Sequence, residues 1–369
     1  MGKYSVKGSP AFDALVDQHM QQIADEVWTS SYSKHWKALV LLGGYGRGEG
    51  TPFVDKDGTE KPFNDYDLVV VTTRLDSLVR GALRHLEKRL TAQLGLPVDL
   101  YPYLKKDLPK CEFSLLNYEM KYGHRVIRGD EKILNRMPNY PHNAIPLSEG
   151  TRLLMNRGKL LLDIKRRLST GKPLSPEERL RYVKFIFKAN LAFGDCALLM
   201  RNAYEISYSV KKERIKSIDL HGMDDPHGLI DAYLEAVSFK EKGNFHPYET
   251  ANIYLWMNET VTRFQEFFLW YERRTLNHKF RTIKKYAQSF PNLGNEGSPL
   301  KNAAHNLRTL GLGALPHLFV HPRIRLYPAI ALLLDDTSDP ADIRHLLCSR
   351  QHTFDGLCDD FRALQQRFS

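Results

Sequence analysis

The stretch LLGGYGRGEG (41–50), read with NDYDLVVV (64–71) and PVDLYPY (97–103), decides the fold. Residues 38–42 form a short apolar run that stops at Gly43-Gly44, the length and ending of a buried strand. Residues 68–71 form a second run rich in β-branched side chains. Residues 97–101 make a third strand. Between the last two, 74–94 has an amphipathic helical pattern that Gly95 closes. Strand, long loop, strand, helix, strand describes a small sheet domain.

Outward from this centre the pattern changes. Ser9-Pro10 opens a helix, with Ser as cap and Pro at the first helical position. Pro138, Pro141 and Pro146 mark a boundary, after which apolar spacing is almost wholly helical. Ser175-Pro176-Glu177-Glu178 is a capping box. Residues 231–237 and 248–271 read as helices, Ser298-Pro299 and Asp339-Pro340 start two more, and the Asp, His, Gly and Pro residues of 212–247 make the rest of that segment read as loop. The expectation is an α+β chain: a small mixed-sheet domain over 1–140, then an all-α domain over 141–369.

Composition sets limits. The 369 residues are 42% hydrophobic, enough for a substantial core, and no apolar run reaches membrane-spanning length. The N-terminus lacks a secretory pattern, so the expected location is cytoplasmic. Cys111, Cys196, Cys348 and Cys358 form no CxxC pair, which argues against a zinc ribbon or a disulfide scaffold. The net charge of +10 suits an anionic partner such as a nucleotide, a phosphorylated molecule or RNA, and equally suits a well-solvated surface.

The chemistry lies in the opening stretch. Gly43 and Gly44 let the chain turn after a strand and bring amide N–H groups to a phosphate, with Arg47 adding a cation. Asp65 and Asp67, two apart at a strand start, project to one face. Asp99, on another strand, is placed to join them. Three converging carboxylates suit Mg²⁺, which takes few protein oxygens alongside substrate phosphates. Asp55, Asp57 and Glu60 lie in the intervening loop and are read as loop acids, and Glu49 as a brace for Arg47.

GG-x-GRGE, then D-x-D, then a later single Asp resembles the nucleotidyltransferase superfamily of DNA polymerase β. The glycine motif is similar to that of the PII uridylyltransferases. YEMKYGHRVIRGD (118–130) resembles the helix-then-strand end of minimal nucleotidyltransferase domains. The likeness spans residues 36–130. It implies that Gly43, Gly44 and Arg47 hold the triphosphate, that Asp65, Asp67 and Asp99 bind metal, and that Asp99 assists deprotonation of an acceptor hydroxyl. Two departures stand out: TPFVDKDGTEKPF (51–63) lengthens the path to the first Asp, and no HD hydrolase motif follows.

In the helical half, Asp195 interrupts an apolar helix on the same face as Lys188. Its two readings are a buried ion pair with Lys188 or Arg201, and an acceptor contact made with Lys188. The expected function is Mg²⁺-dependent transfer of an NMP from ATP or another NTP to a hydroxyl of a small molecule, protein or RNA. The alternative is a catalytically inactive nucleotide-sensing or RNA-binding module acting through its helices.

Overall fold

The computed structural model describes residues 2–55, 57–293 and 296–368. By internal contacts the chain divides into two units. The first comprises 1–146 with two later stretches, 202–217 and 234–247. The second comprises 147–201, 218–233 and 248–369. The architecture is α+β, a mixed four-stranded sheet with helices followed by a largely helical region.

The first unit runs α1 (Pro10–Trp28), β1 (Trp36–Leu41), a single turn α2 (Gly43–Gly46), β2 (Pro52–Val54), β3 (Glu60–Pro62), β4 (Tyr66–Thr72), α3 (Ser77–Leu94), β5 (Val98–Leu104), α4 (Leu115–Tyr122) and β6 (Arg125–Gly129). Sheet order is β5-β4-β1-β6, with β4 and β5 parallel and the other pairs antiparallel. Period-two alternation gives the sheet two faces. Leu39, Leu41, Tyr66, Leu68, Val70, Val98 and Leu100 point into a core with α1 (Phe12, Val16, Met20, Ile23) and α3 (Val79, Leu83, Leu86, Leu90). Each fully buried aliphatic side chain there contributes about 1.5–3 kcal/mol relative to exposure. The opposite face of β4 and β5 presents Asp67, Val69, Asp99, Tyr101 and Tyr103. The core thus lies on one side of the sheet and the acids on the other.

The segment 51–63 is a hairpin. Strands β2 and β3 pair antiparallel, and Phe53 stacks on Phe63 with centroids 5.3 Å apart. Phe63 also meets Phe239 edge-on at 5.8 Å. Asp55 pairs with Lys61, Asp57 accepts the Thr59 N–H, and Glu60 accepts the Ser9 N–H at the start of α1. The three loop acids thus serve local structure.

Later helices are α5 (Ser148–Leu168), α6 (Pro176–Met200), α7 (Tyr208–Ile215), α8 (Pro226–Lys242), α9 (Ile253–Thr275), α10 (Ile283–Leu293), α11 (Pro299–Leu310), α12 (Pro322–Leu334), α13 (Pro340–Leu347) and α14 (Phe354–Phe368). The capping box at Ser175 and the proline-started helices at 299 and 340 form as read. The helix expected over 231–237 forms but is longer, and the loop around it is shorter than expected: the end of α7 and the whole of α8 lie within 212–247. The buried stripe Leu229, Tyr233, Ala236 and Val237 outweighs the helix-disfavouring residues around it. Within the second unit α12 is buried from Ile324 to Leu334 between its neighbours. No helix among the described residues is long and apolar enough to cross a membrane.

Candidate functional site

Parallel pairing of β4 and β5 sets Asp67 directly beside Asp99. Asp65 immediately precedes β4, one period-two step before Asp67. The sheet register therefore brings together the three acids singled out in the sequence. All are half-buried, and one carboxylate oxygen from each lies within 4.8 Å of the others. No other group of three or more His, Cys, Asp or Glu among the described residues converges in this way.

The glycine turn closes one side. Gly43 has φ +62, in the left-handed region, and a Cβ there would stand 2.9 Å from Asp67 Oδ2. The Leu42 N–H donates to the Asp67 carbonyl at 2.8 Å, tying the turn to the strand that carries the acid. Gly43 and Gly44 occupy the first positions of α2, where amide N–H groups have no intrahelical acceptor.

Electrostatics make the acid cluster receptive to a cation. Burial raises the Asp99 carboxyl above its ordinary value, and the Asp65 charge pushes it further up; the Tyr101 hydroxyl opposes both. Tyr101 is itself raised by burial and by the Asp99, Asp67 and Asp65 charges. A hard, all-oxygen donor set under mutual repulsion fits Mg²⁺.

Arg47 is placed elsewhere than the phosphate-binding role anticipates. Its side chain is 8% exposed and lies 3.2 Å from Glu119 and 3.6 Å from Glu49. Burial works against its charge, but Glu119 foremost, with Tyr208, Tyr204 and Glu49, overcomes this and holds the guanidinium protonated. Burial would likewise raise Glu119, yet Arg47 and Lys211 outweigh it and keep the carboxyl low, helped by the Tyr204 hydroxyl that donates to it. Glu49 accepts from the Ser207 hydroxyl and the Tyr208 N–H, both at 2.8 Å. The sequence points to Arg47 because it follows the glycines. One turn of α2 instead directs it inward.

A cation the sequence did not indicate lies at the turn. Lys240, on the part of α8 that belongs to the first unit, brings Nζ to 3.2 Å from the position a Gly44 Cβ would take. Lys211, on α7, is fully buried, its ammonium 4.1 Å from the Tyr204 ring centroid and 4.4 Å from that of Tyr208. No local signal near residue 44 could have found either.

In the second unit, Asp195 is buried and accepts a hydrogen bond from the Tyr233 hydroxyl at 3.1 Å. Lys188 is half-buried on the same helix. Arg201, a partner considered for Asp195, pairs with Asp219 at 2.8 Å.

No family model and no curated protein matches the chain. Among solved structures, it is similar to spectinomycin adenyltransferase AAD(9) from Enterococcus faecialis, solved with ATP and spectinomycin. That alignment has 13% identity and a TM-score of 0.41, and covers 67% of this chain and 98% of the other.

Proposed function

We propose that this chain is a nucleotidyltransferase that moves a nucleoside monophosphate from an NTP, with ATP the first candidate, to an acceptor hydroxyl. The observation that carries the reading is the convergence of Asp65, Asp67 and Asp99 against the Gly43–Gly44 turn. In the reaction the acceptor oxygen bonds to the α-phosphorus, the bond from that phosphorus to the β-phosphate oxygen breaks, and pyrophosphate leaves. Asp65 and Asp67 would hold Mg²⁺, with Asp99 completing its ligands. The bound ion would supply charge neutralisation for the phosphates and the developing oxyanion.

The remaining roles belong to this chain's own groups. The Gly43 and Gly44 amides and the Lys240 ammonium hold the leaving phosphates. Asp99 stands on the edge strand β5, two strands from β1 and its turn, and receives the acceptor's proton. Arg47 positions rather than binds: through Glu119 and Glu49 it fixes the back of the turn. Incubation with each labelled NTP, Mg²⁺ and a cell lysate tests the reading. The wild-type chain should label an acceptor and release pyrophosphate. Asp67→Asn should lower this by about a hundredfold or more while melting as the wild type does. Undiminished labelling by the variant would overturn the mechanism.

A further inference from the structure

A trough of about 330 Å³ starts at the acid site and runs along the face of β4 and β5 that is turned away from α1 and α3. Gly43 and Asp67 line its beginning. Val69 continues from Asp67 on the same face, and Tyr101 and Tyr103 follow Asp99 in period-two steps along β5. Leu116 and Met120 of α4 supply apolar walls. Strand order fixes what this trough serves. The glycine turn follows β1, on one side of Asp67; β5 lies on the other. Phosphates on the turn leave the β5 side for the group that receives the nucleotide.

Its chemistry narrows that group. Among the described residues neither Lys nor Arg lines the trough, while two carboxylates, Asp67 and Glu119, do. The Glu119 charge is already met by Arg47. A polyanion depends on lysines and arginines against its phosphates, and none of the described lining residues is one. Two tyrosine rings, Leu116 and Met120 instead suit the faces of a ring. The volume is at the small end for ligand pockets.

We infer that the trough receives the acceptor, and that the acceptor is a small, non-anionic, ring-bearing molecule with a hydroxyl, neither an RNA end nor a phosphorylated compound. This inference rests on the nucleotidyltransferase reading. The ring lies along Tyr101 and Tyr103, its hydroxyl oxygen faces the α-phosphorus, and its proton passes to Asp99.

Two probes sharing one ring and differing in charge test the inference: para-hydroxybenzyl alcohol and para-hydroxybenzoate. Saturation-transfer NMR would follow each on the full chain with Mg²⁺ and a non-hydrolysable NTP analogue, with a short oligoribonucleotide as competitor. The neutral probe should bind about tenfold more tightly than the anion and resist the oligoribonucleotide. Tyr103→Ala should weaken it about tenfold. Leu116→Asp, at a position 61% exposed where folding is safe, should do the same. Nucleotide affinity by calorimetry should stay within about twofold in both variants. Equal or tighter binding of the anion, displacement by the oligoribonucleotide, or indifference to both substitutions overturns the inference. Failure of the wild-type chain to bind the Mg²⁺-nucleotide while the neutral probe still responds to Tyr103→Ala would sink the transfer reading instead.

Discussion

Replacing Gly43 by Ala isolates the contact between the glycine turn and the acid site. Two costs arise. The left-handed backbone at φ +62 disfavours any Cβ by about 1–2 kcal/mol. Separately, the new Cβ would stand 2.9 Å from Asp67 Oδ2, about half an ångström inside ordinary contact. That oxygen must move, and it belongs to the acid at the centre of the cluster. Gly95 supplies the control: its φ is +67, it caps α3, and nothing lies within 4 Å of its absent Cβ. Gly95→Ala should therefore carry the backbone cost alone. Chemical denaturation should show Gly95→Ala destabilised by about 1–2 kcal/mol and Gly43→Ala by at least as much. Mn²⁺ titration followed by electron paramagnetic resonance should show affinity lowered about 10–100-fold in Gly43→Ala only, the range for disturbed support of a metal ligand. If both variants bind Mn²⁺ like the wild type, Asp67 is not a ligand that the turn positions.

Lys240→Met should weaken Mg²⁺-nucleotide binding about tenfold in calorimetry while leaving Mn²⁺ affinity alone, since the cation meets phosphate and not metal; unchanged nucleotide affinity would remove Lys240 from the site. Glu272 is fully buried against Thr151 and Tyr286, and burial raises its carboxyl from 4.5 to about 7. The folded state thus keeps a proton that the unfolded state releases, so this group's stabilisation, complete below pH 4.5, is lost as pH rises towards 7. The loss is up to about 3 kcal/mol, and urea denaturation of Glu272→Gln should lack that decline. Asp195→Ala removes the acceptor of the buried Tyr233 hydroxyl and should cost about 1–3 kcal/mol with Mn²⁺ affinity unchanged; a variant that loses transfer but not stability would restore the acceptor role.

The acids were legible because strands obey a short-range rule. A side-chain period of two fixes the relation of Asp65 to Asp67, and short apolar runs fix where β4 and β5 lie. Pairing of Asp67 with Asp99 further required that those strands be parallel neighbours in this register, which the sequence does not state. What was not legible depends on direction or distance. Arg47 sits one residue beyond α2, and whether its side chain faces the ligand or the interior depends on how that turn is rotated, which no local pattern specifies. Lys240 and Lys211 reach the turn only because α7 and the end of α8 fold into the first unit. The hairpin over 51–63 looks like a loop in the sequence because its strands are three residues each, too short to show alternation.

The motif GGYGRGE divides its labour between two sides of one turn. Its first two glycines leave the outer surface bare, so that Asp67 on one flank and Lys240 on the other approach the backbone closely. Its larger residues face inward, and each fastens a different part of the chain. Tyr45 is buried with its ring 5.0 Å from Tyr66, and its hydroxyl accepts the Phe63 N–H at 3.1 Å, holding the segment that delivers Asp65. Arg47 anchors α4 through Glu119. Glu49 anchors the start of α7 through Ser207 and Tyr208. A buried ion pair of this kind is weak evidence for stability, because desolvation offsets much of the attraction. Its value here is geometric: together with Tyr45 it ties the turn to α4, the start of α7 and the segment before β4, with Gly43 held against Asp67.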